Sequence, residues 1–336
     1  MIILTISLLL SLIIILIAAE IFTNALEHFG ERINISEGVT GSLFAAVGTA
    51  LPETLVPILA IVAGTQDKAM NEEISIGAIL GAPLMLSTLS IFLMGIAAIK
   101  SRGIMGYVKP EKSGHIRDLN FFLTAYAIAT VSMLIPNPSV IMRGFFSVIL
   151  ISLYALYIIK TVKASKGLVA EGHNTEAHKI MFLNKLGFKD NCLTIILQLL
   201  LGLILLVFGA KGFIHCVGDA SKLFGISPML LSLLIIPIAT ELPEKINSIL
   251  WVRRGKDTMA VGNITGAMVF QGTLLPALGI FLTPWKLSHD IVPSIVVTIL
   301  AAVWLKVSFC KSSGIRIISL AVCGLLYVGY LAIVLN

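Results

Sequence analysis

Two stretches decide the reading of this chain: GTALPETLV, residues 48–56, and ATELPEKIN, residues 239–247. Both put a proline and a glutamate next to each other inside strongly apolar sequence. The surroundings identify the solvent. Hydrophobic residues make up 57% of the 336, charged residues 12%, and the mean hydropathy is +0.99. A soluble domain carries about twice that charged fraction, so the chain is read as an integral membrane protein. Crossing a hydrocarbon layer takes a run of about 20 apolar residues as helix. Ten such runs are expected, at 2–22, 37–64, 73–98, 119–136, 139–160, 192–210, 227–250, 258–282, 291–306 and 317–335. The first run lacks a basic leader and a small-residue cleavage site, and is read as a retained helix.

Charge parity orients the spans. With the N-terminus outside, the loops on the cytoplasmic face hold 18 of the 24 Lys and Arg residues, the bias expected of cytoplasmic loops. Both termini are then extracytoplasmic, and a prokaryotic plasma (inner) membrane is the expected location. The net charge of +6 follows the loops and forms no single basic patch, so no nucleic-acid partner is expected. The expected partners are inorganic cations and the lipid bilayer; oligomeric state is not readable. Cys192, Cys216, Cys310 and Cys323 form no Cys-x-x-Cys pair, and the six histidines no His-x-x-x-His pair, so nothing points to a zinc, redox or transition-metal site. Cys216 is expected in an outer loop and Cys310 in an inner one.

The polar stretch 161–191 divides the spans five and five, giving a first repeat at 1–160, a cytoplasmic linker at 161–191 and a second repeat at 192–336. An odd number of spans per half makes the second half enter the membrane inverted. A shift of 191 residues aligns Thr49 with Thr240, Leu51 with Leu242, Pro52 with Pro243 and Glu53 with Glu244. A shift of 185 aligns Gly77 with Gly262 and Gly81 with Gly266. The fold class expected is therefore an all-α membrane protein of ten helices arranged as two inverted five-helix repeats, with a substrate site near the bilayer midplane.

The residue types indicate what such a site would hold. A proline within a helix removes a donor and frees backbone carbonyls. A carboxylate beside that break is costly in lipid unless it meets a cation or a wet cavity. Hard cations such as Ca²⁺ take six to eight oxygen ligands. Thr49 and Thr240, four residues before Glu53 and Glu244, share their helix face and add oxygens. Gly77, Gly81, Gly262 and Gly266 would let the next span approach closely.

At these residues the chain resembles the calcium/cation antiporter superfamily of sodium/calcium exchangers, through Gly-Thr-x-Leu-Pro-Glu followed by Gly-x-x-x-Gly-small in each half. The specific motifs cover about 37–86 and 228–271. The resemblance implies Glu53 and Glu244 as central cation ligands and carries over Thr49 and Thr240. The chain also departs from the pattern. Ala50 and Glu241 stand where the family has serine. Gly81-Ala82-Pro83 and Gly266-Ala267-Met268 replace Gly-Ser-Asn. Leu86 and Gln271 stand where it has Asn or Asp. The core carboxylates then number three, Glu53, Glu241 and Glu244, with Gln271 as a neutral oxygen donor. Lys245 is read as a snorkelling or charge-balancing residue able to hold a carboxylate when the cation is absent.

The expected function is a secondary antiporter exchanging Ca²⁺, or a related cation, against Na⁺ or H⁺. No Gly-x-x-x-x-Gly-Lys-Ser/Thr sequence is present, so an ion gradient is the expected driving force, with no resident cofactor. Two other readings use the same residues. A membrane-embedded hydrolase or transferase could use the carboxylates for acid/base work or as metal ligands, but it leaves the repeat unexplained. A non-transporting protein with an exchanger fold is suggested by Leu86.

Overall fold

A computed structural model describes residues 2–32, 51–63, 67–136, 138–170, 180–225, 227–310 and 314–334. The chain is mostly helical, and every expected span that falls on described residues contains helix. The first half comprises α1 (Ile2–Arg32), α2 (Leu51–Ala63), α3 (Lys68–Met85), a π-helical turn (Leu86–Ser90), α4 (Ile91–Arg102), α5 (Lys112–Met133) and α6 (Val140–Ala170). After the short α7 (Phe182–Lys185) come α8 (Cys192–Phe224), α9 (Pro228–Thr240), α10 (Leu242–Arg253), α11 (Asp257–Leu282), α12 (Val292–Val307) and α13 (Ile317–Val334). Polar caps fix several starts. Asp67 accepts from Met70 N at 3.1 Å, Glu111 from Ser113 N and Gly114 N at 2.7 and 2.6 Å, and Asn191 from Thr194 N at 2.8 Å.

Among the described residues, five helical stretches are long and apolar enough to cross a membrane: Lys68–Arg102, Val140–Ala164, Cys192–Leu223, Asp257–Leu282 and Ile317–Val334. Of the ten expected spans, 2–22, 37–64, 119–136, 227–250 and 291–306 are not among them: 37–50 lies outside the described residues, 227–250 breaks at Glu241 into α9 and α10, and α12 has only 16 residues. The most apolar windows of the α3–α4 stretch and of α11 are 72% and 83% buried, against 28% and 29% for α6 and α8. The first two therefore form the centre. The other two turn Ile141, Phe145, Ile196 and Phe208 outward. In water such a surface would be an association hazard; here it faces lipid.

Close packing follows the small residues. Gly202 sits against Phe22, Gly209 against Ile14 and Ile15, and Gly212 against Ser11, bringing α8 onto α1. At one end of the molecule, β1 (Tyr107–Val108), β2 (Phe309–Cys310) and β3 (Gly314–Arg316) form an antiparallel sheet in the order β1-β3-β2, with Val108 opposite Ile315 and Phe309 also opposite Ile315. At the same end Arg102 forms a bidentate pair with Asp257, both contacts 2.6 Å, and donates to the carbonyls of Tyr107 and Val252 at 3.0 and 2.8 Å. Lys109 N closes the Asp257 carboxylate at 2.6 Å. The segments around Tyr107, Asp257 and Ile315, which charge parity puts on one face, thus meet.

Two helices run further than hydropathy suggests. The helix α6 continues past 160 to Ala170. The helix α8 continues past 210 to Phe224, so Cys216 lies buried in a helix and not in an outer loop. Polar residues such as Lys211 and Asp219 lower the hydropathy there without interrupting the helix. Cys216 is therefore a poor reporter of sidedness.

Candidate functional site

The centre is built where α3 of the first half crosses α9 of the second. A Cβ at Gly77 would collide with Ser232 Oγ and the Met229 carbonyl, and one at Gly81 with the Leu233 carbonyl and the Pro237 ring. These two glycines are what let the backbones touch. Pro237 has no N–H to offer the Leu233 carbonyl one turn back, and Gly81 lies against that carbonyl. Of the glycines in the second half's motif, Gly262 and Gly266 lie in α11, which packs on α3 and α10.

The second motif sits at a helix break. The helix α9 ends at Thr240, and Glu241 has φ −87° and ψ 4°, outside the helical range; α10 begins at Leu242 with Pro243 in its first turn. Glu241 N still donates to the Pro237 carbonyl at 3.2 Å, and Lys245 N to the Glu241 carbonyl at 3.1 Å. The Glu241 side chain is fully buried, and Lys245 is 4% exposed. Lys245 Nζ lies 3.5 Å from Glu241 Oε2 and donates to the Pro237 carbonyl at 3.2 Å. A carboxylate, an ammonium and a helix-break carbonyl thus share one buried joint.

The first motif is described from Leu51 onward. Glu53 lies in the first turn of α2 and is 1% exposed. Gln271 is buried on α11, and its amide oxygen and nitrogen have no hydrogen-bond partner among the described residues. An unsatisfied buried amide costs about 1–3 kcal/mol, so its surroundings call for a ligand or water. On the same helix, Asn263 Nδ2 donates to Ser248 Oγ at 3.1 Å, holding α11 on α10. Thr265, the residue before Gly266, donates through Oγ1 to Asp118 Oδ2 at 2.7 Å, joining α11 to α5.

Thr49 lies outside the described residues, as do the side chains of Thr240 and Glu244. Glu53, Glu241 and Gln271 are each described and each buried. Among the described residues no group of three His, Cys, Asp or Glu side chains could hold a metal ion; residues 33–50 and the Glu244 side chain are outside that statement. Sequence reasoning missed the Pro237 carbonyl as a partner of Lys245, though the four-residue spacing of Glu241 and Lys245 signalled their ion pair. It also missed the π-helical turn that begins at Leu86, where Pro83 lies within the preceding helix. Such turns are often found at functional positions.

Central helices that cross on glycines, with carboxylates buried in an apolar interior, are the architecture of a multi-pass membrane transporter. The particular family follows from comparison. The sodium/calcium exchanger protein family matches residues 3–162 and 194–336, and the chain belongs to it. Among curated relatives, the putative antiporter CaxA of Alkalimonas amylolytica is 24% identical over 289 residues, covering 84% of this chain and 82% of that protein. The inner membrane protein YrbG of Escherichia coli (strain K12) is 25% identical over 290 residues, covering 85% and 82%. Among solved structures, the H⁺/Ca²⁺ exchanger CAX superposes with a TM-score of 0.77 at 20% identity, over 98% of this chain and 82% of that one. The sodium-calcium exchanger NCX_Mj, soaked with Na⁺ and Sr²⁺, gives 0.65 at 21% identity over 98% of each chain. These structures share the fold.

Proposed function

We propose that the protein is a secondary antiporter that exchanges Ca²⁺, or a related cation, against Na⁺ or H⁺ through one site between two inverted five-helix repeats. Glu53, Glu241 and Glu244 supply charge. Thr49, Thr240 and Gln271 supply neutral oxygens, together with carbonyls freed at the proline breaks. The observation that carries this reading is the burial of Glu53 and Glu241 in an apolar interior, Glu241 at the break between α9 and α10. Such carboxylates are stable only with a cation or a polar cavity to face. The relatives add support, since CAX is an H⁺/Ca²⁺ exchanger and NCX_Mj a sodium-calcium exchanger. Both termini outside a plasma (inner) membrane complete the proposal, in keeping with the relative YrbG, an inner membrane protein.

The test is Ca²⁺ uptake by the purified full-length protein in proteoliposomes, driven in turn by an outward Na⁺ gradient and by a pH gradient. Glu53→Gln and Glu244→Gln should each abolish uptake while inserting normally, because an amide keeps the shape and removes the charge. Near-normal uptake in both variants would exclude the shared carboxylate site.

A further inference from the structure

The two halves differ by one charged pair. Under the 191-residue shift that superposes the motifs, Glu241 corresponds to Ala50 and Lys245 to Thr54. The second half has gained an acid and a base together, in place of a small residue and a hydroxyl. The structure shows them as a unit. Both are buried, their charged atoms are 3.5 Å apart, and the lysine also holds the Pro237 carbonyl at the helix break.

The third carboxylate therefore does not simply make the site more negative. Glu53, Glu241 and Glu244 carry a formal charge of −3, and Lys245 reduces it to −2. Lys245 is attached to the chain, so its charge neutralises the site without ever being transported. What the cargo must neutralise is then the remaining −2, which one divalent ion or two monovalent ions would match.

We propose that Lys245 is a tethered counter-ion that fixes the coupling ratio at two monovalent ions per divalent ion, so that exchange moves no net charge. This rests on the antiport reading above. Its function is distinct from a merely structural pin, because a pin would affect folding and leave the transported charge alone.

The experiment measures the steady-state Ca²⁺ accumulation ratio in proteoliposomes, with the membrane potential clamped at zero or at 100 mV inside-positive by K⁺ and valinomycin. The parent protein and Lys245→Arg should give the same ratio at both potentials. Lys245→Met leaves three carboxylates and should require three monovalent ions. One net charge per cycle would then raise its ratio about fifty-fold at 100 mV. Because Lys245→Met strands a buried carboxylate and could fail to fold, the double variant Glu241→Gln/Lys245→Met provides a second route. It removes both charges, and whatever its rate, its ratio should be independent of potential. A potential-dependent ratio in the parent or the double variant, or a potential-independent ratio in Lys245→Met, would overturn the proposal while leaving antiport intact. Absence of Ca²⁺ accumulation in the parent under either gradient would instead remove the antiport reading, and this inference with it.

Discussion

The two halves of the molecule carry the same motif skeleton and differ in how each keeps a carboxylate inside an apolar interior. In the first half, which carries Glu53, the positions that match Glu241 and Lys245 are Ala50 and Thr54, neither of them charged. In the second half a buried ion pair, Glu241 with Lys245, accompanies the matching Glu244. The following helices differ as well. The first-half helix contains Pro83 and passes into a π-helical turn at Leu86, whereas α11 runs as continuous α-helix from Asp257 to Leu282 and carries Gln271. The second half carries Glu241, Lys245 and Gln271 where the first has Ala50, Thr54 and Leu86, and of the two helices that follow the motifs the first-half one is irregular. The lesson is that an inverted repeat can keep its packing skeleton, the glycines and prolines, while its charges become asymmetric.

The largest effect expected is on the shared skeleton. Gly81→Leu would drive a side chain into the Leu233 carbonyl and the Pro237 ring. Backbone cannot yield as a flexible side chain does, so loss of monodisperse protein in size-exclusion chromatography is expected. A well-behaved Gly81→Leu protein would show that α3 and α9 do not need this approach.

Next in size is the tie between the halves at the Lys/Arg-rich end. Asp257→Asn leaves Arg102, 20% exposed, without its bidentate carboxylate. Breaking a buried pair costs about 3–5 kcal/mol, and this partly exposed one should fall near the lower bound, read as a clear fall in thermal midpoint in detergent. An unchanged midpoint would make the sheet and its neighbours sufficient without the pair.

A smaller and more selective effect is expected at Gln271. Its amide has no partner among the described residues, so Gln271→Leu removes a buried polar group at little cost in stability and could even raise the midpoint. Ca²⁺ uptake should nevertheless fall about tenfold, as expected for losing one ligand worth about 1.4 kcal/mol. A stable variant with full uptake would take Gln271 out of the site and leave the second half without its presumed advantage over Leu86.

Much of this was readable from the chain, for reasons that lie in particular residues. Apolar runs mark helices in lipid because the backbone has no other way to satisfy its polar groups, Pro243 marks where one such helix breaks, and Gly77 and Gly81 mark where two of them touch. The grouping of loops on one face followed from lysines and arginines. What could not be read has equally physical causes. Arg102 and Asp257 are 155 residues apart, and nothing local identifies one as the other's partner. The helix α8 extends through Lys211 and Asp219 because hydropathy registers the solvent a residue prefers, and hydrogen bonding along a helix does not depend on it. The π-helical turn depends on how Pro83 and the hydroxyls of Ser87 and Thr88, which bond back to Leu84 O, rearrange one turn; composition does not encode that.

The smallest predicted effect again separates the halves, this time at the fourth helix of each. In the first half α5 is capped by Glu111, whereas in the second α12 starts after Ile291 with no side-chain cap and with Pro293 in its first turn. Proline satisfies one orphan position by lacking a donor; glutamate satisfies two by accepting from Ser113 N and Gly114 N. Burial pushes the Glu111 carboxyl up, but the hydrogen bonds from Ser113 and Gly114, with Arg117 nearby, outweigh it and hold its pKa below the ordinary 4.5. A carboxyl depressed on folding contributes stability that is present above its unfolded value and is lost as pH falls through the folded one. Glu111→Ala should therefore cost about 1 kcal/mol at pH 7, the usual value of a helix cap. The difference from the parent should shrink as pH drops below 4.5, where the parent begins to lose the same contribution. Thermal midpoints of both proteins at pH 7 and pH 4 provide the check. A gap that stays constant or widens on acidification would mean that Glu111 acts through its shape and not through its charge, and that the two fourth helices are held by more similar means than their caps suggest.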